Sequence, residues 1–311
     1  MELSAVVATH NRRDILRKAI TAYQNQTPTT PQFEVLVVDD DSSDGTEEMV
    51  NRLMPTMNLS IRYFRQAKRG AAAARNVGIR ESIGRIILFT DDDIVPAENL
   101  VAEHLLCHAR HTEPQCAVLG HITWSPEVHP TPFMRWYGRN VVVTFRDLKN
   151  ACITDFRHFY TGNVSVKRDF LQEHGEFDED FEGYGWEDLE LGYRLTKAGM
   201  KLLYDPRAIG YHYQQIRFED ACRRAQRIAA TRRTFEKKEA GRHFAQLEGQ
   251  RNQALGRRLG KQMASWLVPL FSPLRSFMDS RIPLPAAFYQ MFYWYYGARV
   301  GHDLMSAYKA K

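Results

Sequence analysis

Cysteine is scarce and scattered. Cys107, Cys116, Cys152 and Cys222 are the only four in 311 residues, and no two form a CxxC pair. That excludes a disulfide framework and the paired spacing of a structural zinc site, and leaves four separate reduced thiols as the plain reading. With 19 Gly and 13 Pro, the chain is not collagen-like or of low complexity. No apolar run reaches the roughly 18 residues of a membrane-spanning helix. The N-terminal stretch MELSAVVATHNRR lacks the basic-then-apolar order of a secretion signal and reads as a first strand, so a cytoplasmic protein is expected.

What is present is an ordinary globular composition, 44% hydrophobic and 25% charged, with enough apolar mass for a core. The length suits one large domain, or one domain with a substantial appendage. The net charge of +5 is unevenly spread: residues 217–311 hold 18 Lys and Arg against 7 Asp and Glu, and the remainder holds 24 against 30. An acidic front can hold a cation, and a basic tail can meet an anionic surface such as lipid headgroups.

The first hundred residues alternate apolar β-branched runs with helical periodicity. Strands are expected at 3–9, 33–40, 61–64 and 85–90, and helices at 12–24, 45–54, 71–82 and 97–111. Such alternation implies a largely parallel sheet with helices on both faces, its ligand at the carboxyl ends of the strands. Polar clusters follow the first, second and fourth strands: Thr9-His10-Asn11, Asp39-Asp40-Asp41 and Asp91-Asp92-Asp93. Farther on, strands are expected at 117–123, 159–166, 201–204 and 208–213, with a short helix from 167 and another at 186–198. From residue 217 the chain reads as mostly helical.

Five clusters suggest chemistry, and each has a plainer reading beside it. Asp91 and Asp93, at i and i+2 on a strand end, can share a hard divalent ion with a diphosphate; the plainer reading is an acidic turn before a helix. In VVDDDSSDGT, a helix cap accounts for Asp44 and Gly45 but not for Asp39 and Asp40, which could meet ribose or base. In KRGAAAARNVGI, Arg75 could reach phosphate, although close helix packing suffices for the alanines. Glu187 and Asp188 open a helix after the Gly183-Tyr184-Gly185 loop, where a carboxylate can act as general base or be ordinary N-terminal charge. His212, after a closing strand, could complete a metal shell or be a satisfied structural residue.

The order ATHNRRD, VVDDDSSDGT, RGAAAARNVGI, LFTDDDIVP, TGNVSVKRD, GYGWEDLELGYRL and GYH resembles the family 2 glycosyltransferases over about residues 3–215. The resemblance implies an α/β fold of GT-A type: a Rossmann-like, mostly parallel mixed sheet flanked by helices. It divides the chain into a catalytic domain (1–215; nucleotide-sugar half about 1–112, acceptor half about 113–215) and a basic, aromatic-rich helical extension (216–311). It implies that Ala8, Thr9, His10 and Asp40 line the nucleotide, with Arg12, Arg69 and Arg75 nearby. The acidic triplet matches a DxD motif, with Asp91 and Asp92 toward the nucleotide sugar and Asp93, Asp91 and His212 toward Mn2+ or Mg2+. Gly162, Asn163 and Trp186 would flank the acceptor, and Asp188, beside Glu187, would be the catalytic base.

The implied reaction is inverting transfer of one sugar from a nucleotide-diphosphate sugar, a UDP-sugar first, to a glycan or lipid-linked acceptor. His10 stands where Tyr is common, and the QxxRW signature of processive synthases is absent. Two rival classes remain at this stage. A nucleotidyltransferase would bring a Gly-rich phosphate loop, where this chain has ATHNRR. A scaffold of the same fold would not need both Asp188 and the triplet. The tail could lie on an anionic membrane at the inner face through the aromatic stretch 286–301, or pack on the protein or a second subunit as a homodimer. No nucleic-acid recognition motif is present.

Overall fold

The computed structural model describes all residues except 28–31, 143–144, 146–147, 149–152, 182, 184, 253–267, 269–271 and 300–311. Cys152, Tyr184 and the end of the 286–301 stretch therefore lie outside the described residues. The chain divides into two compact units: Met1–Glu127, Phe145–Glu182 and Glu187–Gln214 form one, and Val128–Thr144, Gly183–Trp186 and Gln215–Lys311 the other. The last of these crossings follows Gln214, and two short upstream segments also belong to the second unit.

The first unit is built on one sheet. Its strands are β1 (Leu3–Thr9), β2 (Phe33–Asp40), β3 (Ser60–Gln66), β4 (Ile86–Asp91), β5 (Ile94–Pro96), β6 (Cys116–Trp124), β7 (Ile153–Thr154), β8 (Asn163–Lys167) and β9 (Lys201–His212). Their order is β3-β2-β1-β4-β8-β6-β9-β5, with β7 also on β9. The β3-β2-β1-β4 half is parallel, β8 runs antiparallel to both β4 and β6, and β6 and β9 are parallel. This is the mixed sheet expected of a GT-A fold.

Helices α1 (Arg13–Gln24), α2 (Thr46–Leu53), α3 (Ala71–Glu81), α4 (Leu100–Arg110), α6 (Arg168–His174) and α7 (Glu187–Lys197) cover it; α5 (Pro132–Tyr137) belongs to the second unit. Alternation along β1 shows why both faces are apolar. Val6 points into a core with Ala72, Ile79, Leu171 and Leu191, while Leu3, Ala5 and Val7 point into another with Leu16, Ile20, Val50 and Leu100. Strands covered on both faces read as unbroken apolar runs. In α3 the plainer reading of the alanines holds. Ala72, Ala73, Ala74 and Gly78 are buried, and a Cβ on Gly78 would stand 2.2 Å from Val6, so small residues let α3 lie directly on β1.

Three elements differ from expectation. Strand β5 is too short to show periodicity. The stretch expected as two closing strands is one strand, β9, whose pairing jumps from Gly120↔Asp205 to His121↔Ile209 across a bulge. Strand β8 begins at Asn163, whose N–H donates to the Tyr160 carbonyl at 3.2 Å and closes a turn over the residues before it.

The second unit is helical where described: α5, α8 (Phe218–Lys237), α9 (Glu239–Asn252) and α10 (Ala286–Tyr293). Several of its aromatic residues pack on one another. Phe133 of α5 meets Phe218 at 5.5 Å and Tyr289 at 5.8 Å, and Tyr289 and Phe292 are buried. That packing lies within the second unit. Among the described residues no helix is long and apolar enough to cross a membrane.

Candidate active site

The polar clusters gather at the carboxyl ends of β1, β2 and β4, where neighbouring strands set their spacing. Ala8 lies in register between Val38 and Asp91, and Thr9 is paired with Asp39. Ala8 is half-buried in an otherwise buried strand.

The three aspartates have three environments. Asp91 closes β4 with its side chain 45% exposed, and its Oδ1 accepts from Arg75 Nη2 at 3.0 Å. Asp92 is buried, and its Oδ2 accepts from the Thr9 hydroxyl at 2.7 Å. Burial, then the neighbouring Asp93, pushes its carboxyl up to about 7. Asp93 Oδ2 lies 3.3 Å from Arg12 Nη1 and 3.4 Å from His212 Nε2. Strand pairing makes the last contact: Ile94 is opposite His212, and Tyr213 N donates to the Asp93 carbonyl at 2.9 Å.

Among the described residues, no group of three or more His, Cys, Asp or Glu side chains could by itself hold a metal ion. The donor set still fits Mg2+ or Mn2+. Asp93 and His212 are both buried and adjacent, and such ions commonly take one or two protein ligands and leave the rest of the shell to phosphate and water. Asp91 points instead toward Arg75.

Arg75 joins the triplet to the opening of α7. Its Nη1 donates to Glu187 Oε1 at 2.9 Å, and its ring neighbour is Phe177 at 5.6 Å. Burial works against the guanidinium charge, but Asp91, Glu187 and Asp188 together raise its pKa above the ordinary value. Arg75, considered from sequence as a phosphate ligand, is thus buried and committed to carboxylates. The chain enters α7 through two left-handed residues, Gly185 (φ +90°) and Trp186 (φ +79°). Asp188 is half-buried, and its Oδ1 accepts from the Leu189 amide at 2.8 Å. Lost hydration, then Glu187, raises its carboxyl to about 7 despite the opposing charge of Arg75. Glu187 Oε2 is buried without a hydrogen-bond partner.

At the β2 end, Asp40 serves the backbone. Its Oδ1 accepts from Gln66 Nε2 at 2.7 Å and from Arg69 N at 2.8 Å, and its Oδ2 accepts from Gly70 N at 2.8 Å. It ties the entry of α3 to β2. The Arg69 side chain turns away to pair with Glu179. His10 Nδ1 lies 2.8 Å from the Asp40 carbonyl, so Nδ1 carries the proton and Nε2 accepts from Asn11 at 3.0 Å and Lys68 at 3.2 Å. Tyr63, which donates to the buried Asp39 at 2.7 Å, and Gln66 were not anticipated. Both lie on β3, which shows only weak strand character in the sequence.

Gly162, expected beside an acceptor, lies against the triplet: a Cβ there would stand 3.2 Å from Asp91 Oδ2 and 3.0 Å from Ile122. Asn163 is fully buried. Its Nδ2 donates to the carbonyls of Ala208 (2.9 Å) and His121 (3.2 Å), which leaves Oδ1 to accept from His104 Nε2 at 2.8 Å. That fixes a chain of tautomers. His104 Nδ1 must accept, so Ser165 donates to it at 2.8 Å, and His108 Nε2 donates to Ser165 at 2.9 Å. Asn163 is therefore an internal strut rather than an acceptor contact. Trp186 belongs to the second unit, where its indole N–H donates to the Ile228 carbonyl at 2.8 Å and its ring stacks on Phe235 at 4.7 Å.

The sequence model of the family described as Glycosyl transferase family 2 matches residues 4–175. Validoxylamine A glucosyltransferase of Streptomyces hygroscopicus subsp. jinggangensis is 31% identical over 245 residues, covering 70% of this chain and 57% of that protein. An uncharacterized glycosyltransferase of Bacillus subtilis, YfnE, is 28% identical over 246 residues, covering 64% of this chain and 62% of its own. The chain thus spans about six-tenths of the length of these relatives. Mannosyltransferase PcManGT from Pyrobaculum calidifontis, solved with GDP-Man and Mn2+, has the same fold. Its TM-score is 0.57 at 20% identity, covering 92% of this chain and 85% of that one.

Proposed function

The chain belongs to glycosyl transferase family 2, and from that premise we propose that it transfers one sugar from a nucleotide-diphosphate sugar to an acceptor hydroxyl with inversion at the anomeric carbon. The observation that supports this most is the Arg75 bridge. One guanidinium holds Asp91, at the donor-side strand end, and Glu187, beside Asp188, in a fixed relation.

In this reading the acceptor oxygen attacks the anomeric carbon while Asp188 accepts its proton. The bond from that carbon to the diphosphate oxygen breaks, and its electron pair leaves with the nucleoside diphosphate. A carboxyl near 7 is a competent base at neutral pH. Asp93 and His212 would hold the divalent cation, which when bound offsets charge on the leaving diphosphate. Arg12, beside Asp93, adds a second positive group at that end. Fixed placement of donor and acceptor supplies much of the acceleration. The acceptor is a glycan or a lipid-linked glycan precursor; the basic surplus of residues 217–311 suits an anionic lipid carrier.

The test is a thermal-shift panel of UDP, GDP, dTDP, CDP and ADP, each with and without Mn2+. A ligand that binds the folded state raises the melting temperature by mass action. A metal-dependent rise with one nucleotide, UDP first, supports the donor site and names its base. No rise with any of the five would overturn the transferase reading and favour a scaffold of the same fold.

A further inference from the structure

We propose that Trp124 is the positioning residue that fixes the imidazole plane of His212 for the divalent cation; this rests on the metal reading given above. Trp124 ends β6 and His212 ends β9, and the two are register partners on parallel strands. Their rings are stacked, with centroids 5.0 Å apart and planes 15° from parallel. On the other side, β5 places Ile94 opposite His212. The Ser125 amide donates to the His212 carbonyl at 3.0 Å. The sheet thus fixes the backbones of Asp93 and His212, but not the imidazole, which can still turn about its own side-chain torsions.

A nitrogen ligand must point its in-plane lone pair at the ion, so the plane of the ring decides whether the site exists. Ligating histidines commonly have that plane set by a hydrogen bond from the second ring nitrogen to an outer partner. Here the His212 ring meets Asp93 at 3.4 Å on its edge and Trp124 on its face. A flat indole packed parallel to the imidazole restricts rotation while leaving its edge toward Asp93. Its π face also favours the more positive ring that results when a cation binds Nε2.

The test uses the full chain and Mn2+ alone, with bound metal read from the loss of the free Mn2+ EPR signal. Trp124→Ala is expected to weaken Mn2+ binding about tenfold, as loss of an outer-shell partner does, and Trp124→Phe to stay close to wild type because a ring still covers the imidazole. A second readout does not depend on the Ala variant folding. Mn2+ is expected to quench the tryptophan emission of the wild type, and the Phe variant is expected to lose that part of the quench while still binding metal. Wild-type affinity in Trp124→Ala, or an undiminished quench in Trp124→Phe, overturns the proposal alone if His212→Ala abolishes uptake. If the wild type itself takes up no Mn2+, the metal reading falls with it.

Discussion

Arg75 Nη1 and Glu187 Oε1 are paired at 2.9 Å, with both side chains less than a tenth exposed. A pair this deep is valuable chiefly because each partner prevents the other from being buried alone. Removing one partner from such a pair commonly costs about 3–5 kcal/mol. Arg75→Met is therefore expected to lower the unfolding free energy by about that amount, as measured by urea denaturation. Adding Glu187→Gln should recover part of it, since the uncompensated charge is gone, while transferase activity stays low because Asp91 and α7 are no longer joined. A double variant no more stable than Arg75→Met would show that the loss comes from packing instead.

Asp188 ties activity and stability to pH with opposite sign. Its carboxyl is near 7 in the fold, and the base must be unprotonated, so kcat/KM is expected to fall about tenfold per unit as pH drops below 7. Asp188→Asn should lose roughly 10²- to 10⁴-fold in rate while still binding donor nucleotide. Because the folded carboxyl lies above its ordinary value, its contribution to stability is present at acid pH and is lost as pH rises through about 7. The Asn variant should therefore melt higher than wild type at pH 8, with the gap closing toward pH 4. Equal melting at both values, or wild-type turnover by the variant, would remove Asp188 as the base.

The placement of these residues at a strand end and a helix start is legible in the sequence, because strand–helix alternation predicts where polar residues must surface, while the roles given to Asp91, Glu187 and Asp188 rest on the order of motifs alone. The route by which His212 reaches Asp93 is not written in the motifs, although the resemblance puts both toward one ion. It depends on the pairing of Ile94 with His212, set by a three-residue strand without periodicity. Asp40 and Asn163 mark a further limit. A polar side chain at a strand end looks the same in sequence whether it faces ligand or backbone, and here both face inward. Arg69 and Trp186 show it for long side chains, whose direction is set by partners far along the chain, Glu179 and Phe235.

The network behind Asn163 requires neutral histidines. Burial lowers His104 to about 4 and His108 to about 3, against an ordinary value near 6.5. The unfolded chain then takes up the protons first, so stability is expected to fall as pH drops from about 6.5 toward 4. His104→Gln keeps a neutral amide able to donate to Asn163 and removes one group that must stay unprotonated. Melting temperature measured from pH 7 to pH 4 should decline less steeply in this variant than in wild type. Parallel curves would show that His104 is not what limits acid stability.

Gly162 offers the sharpest separation of site geometry from folding. Its backbone is not left-handed, so alanine meets no conformational penalty there, and the only obstacle is contact: the new Cβ would lie 3.0 Å from Ile122 Cδ1 and 3.2 Å from Asp91 Oδ2. The Ile122 methyl is the end of a flexible side chain and can yield. Asp91 is tethered through Oδ1 to Arg75, so the displacement it takes is passed to the guanidinium that also holds Glu187. A misplacement of about 1 Å at a reacting centre can cost about 10²-fold in rate, so a part of that distance can cost up to about tenfold. Gly162→Ala is expected to melt within a degree or two of wild type yet lose about tenfold in kcat/KM. The push on Asp91 should be absent when that side chain is already shortened and uncharged, so Gly162→Ala in an Asp91→Ser background should cost much less. Equal losses in both backgrounds would place the effect of Gly162 elsewhere than on Asp91.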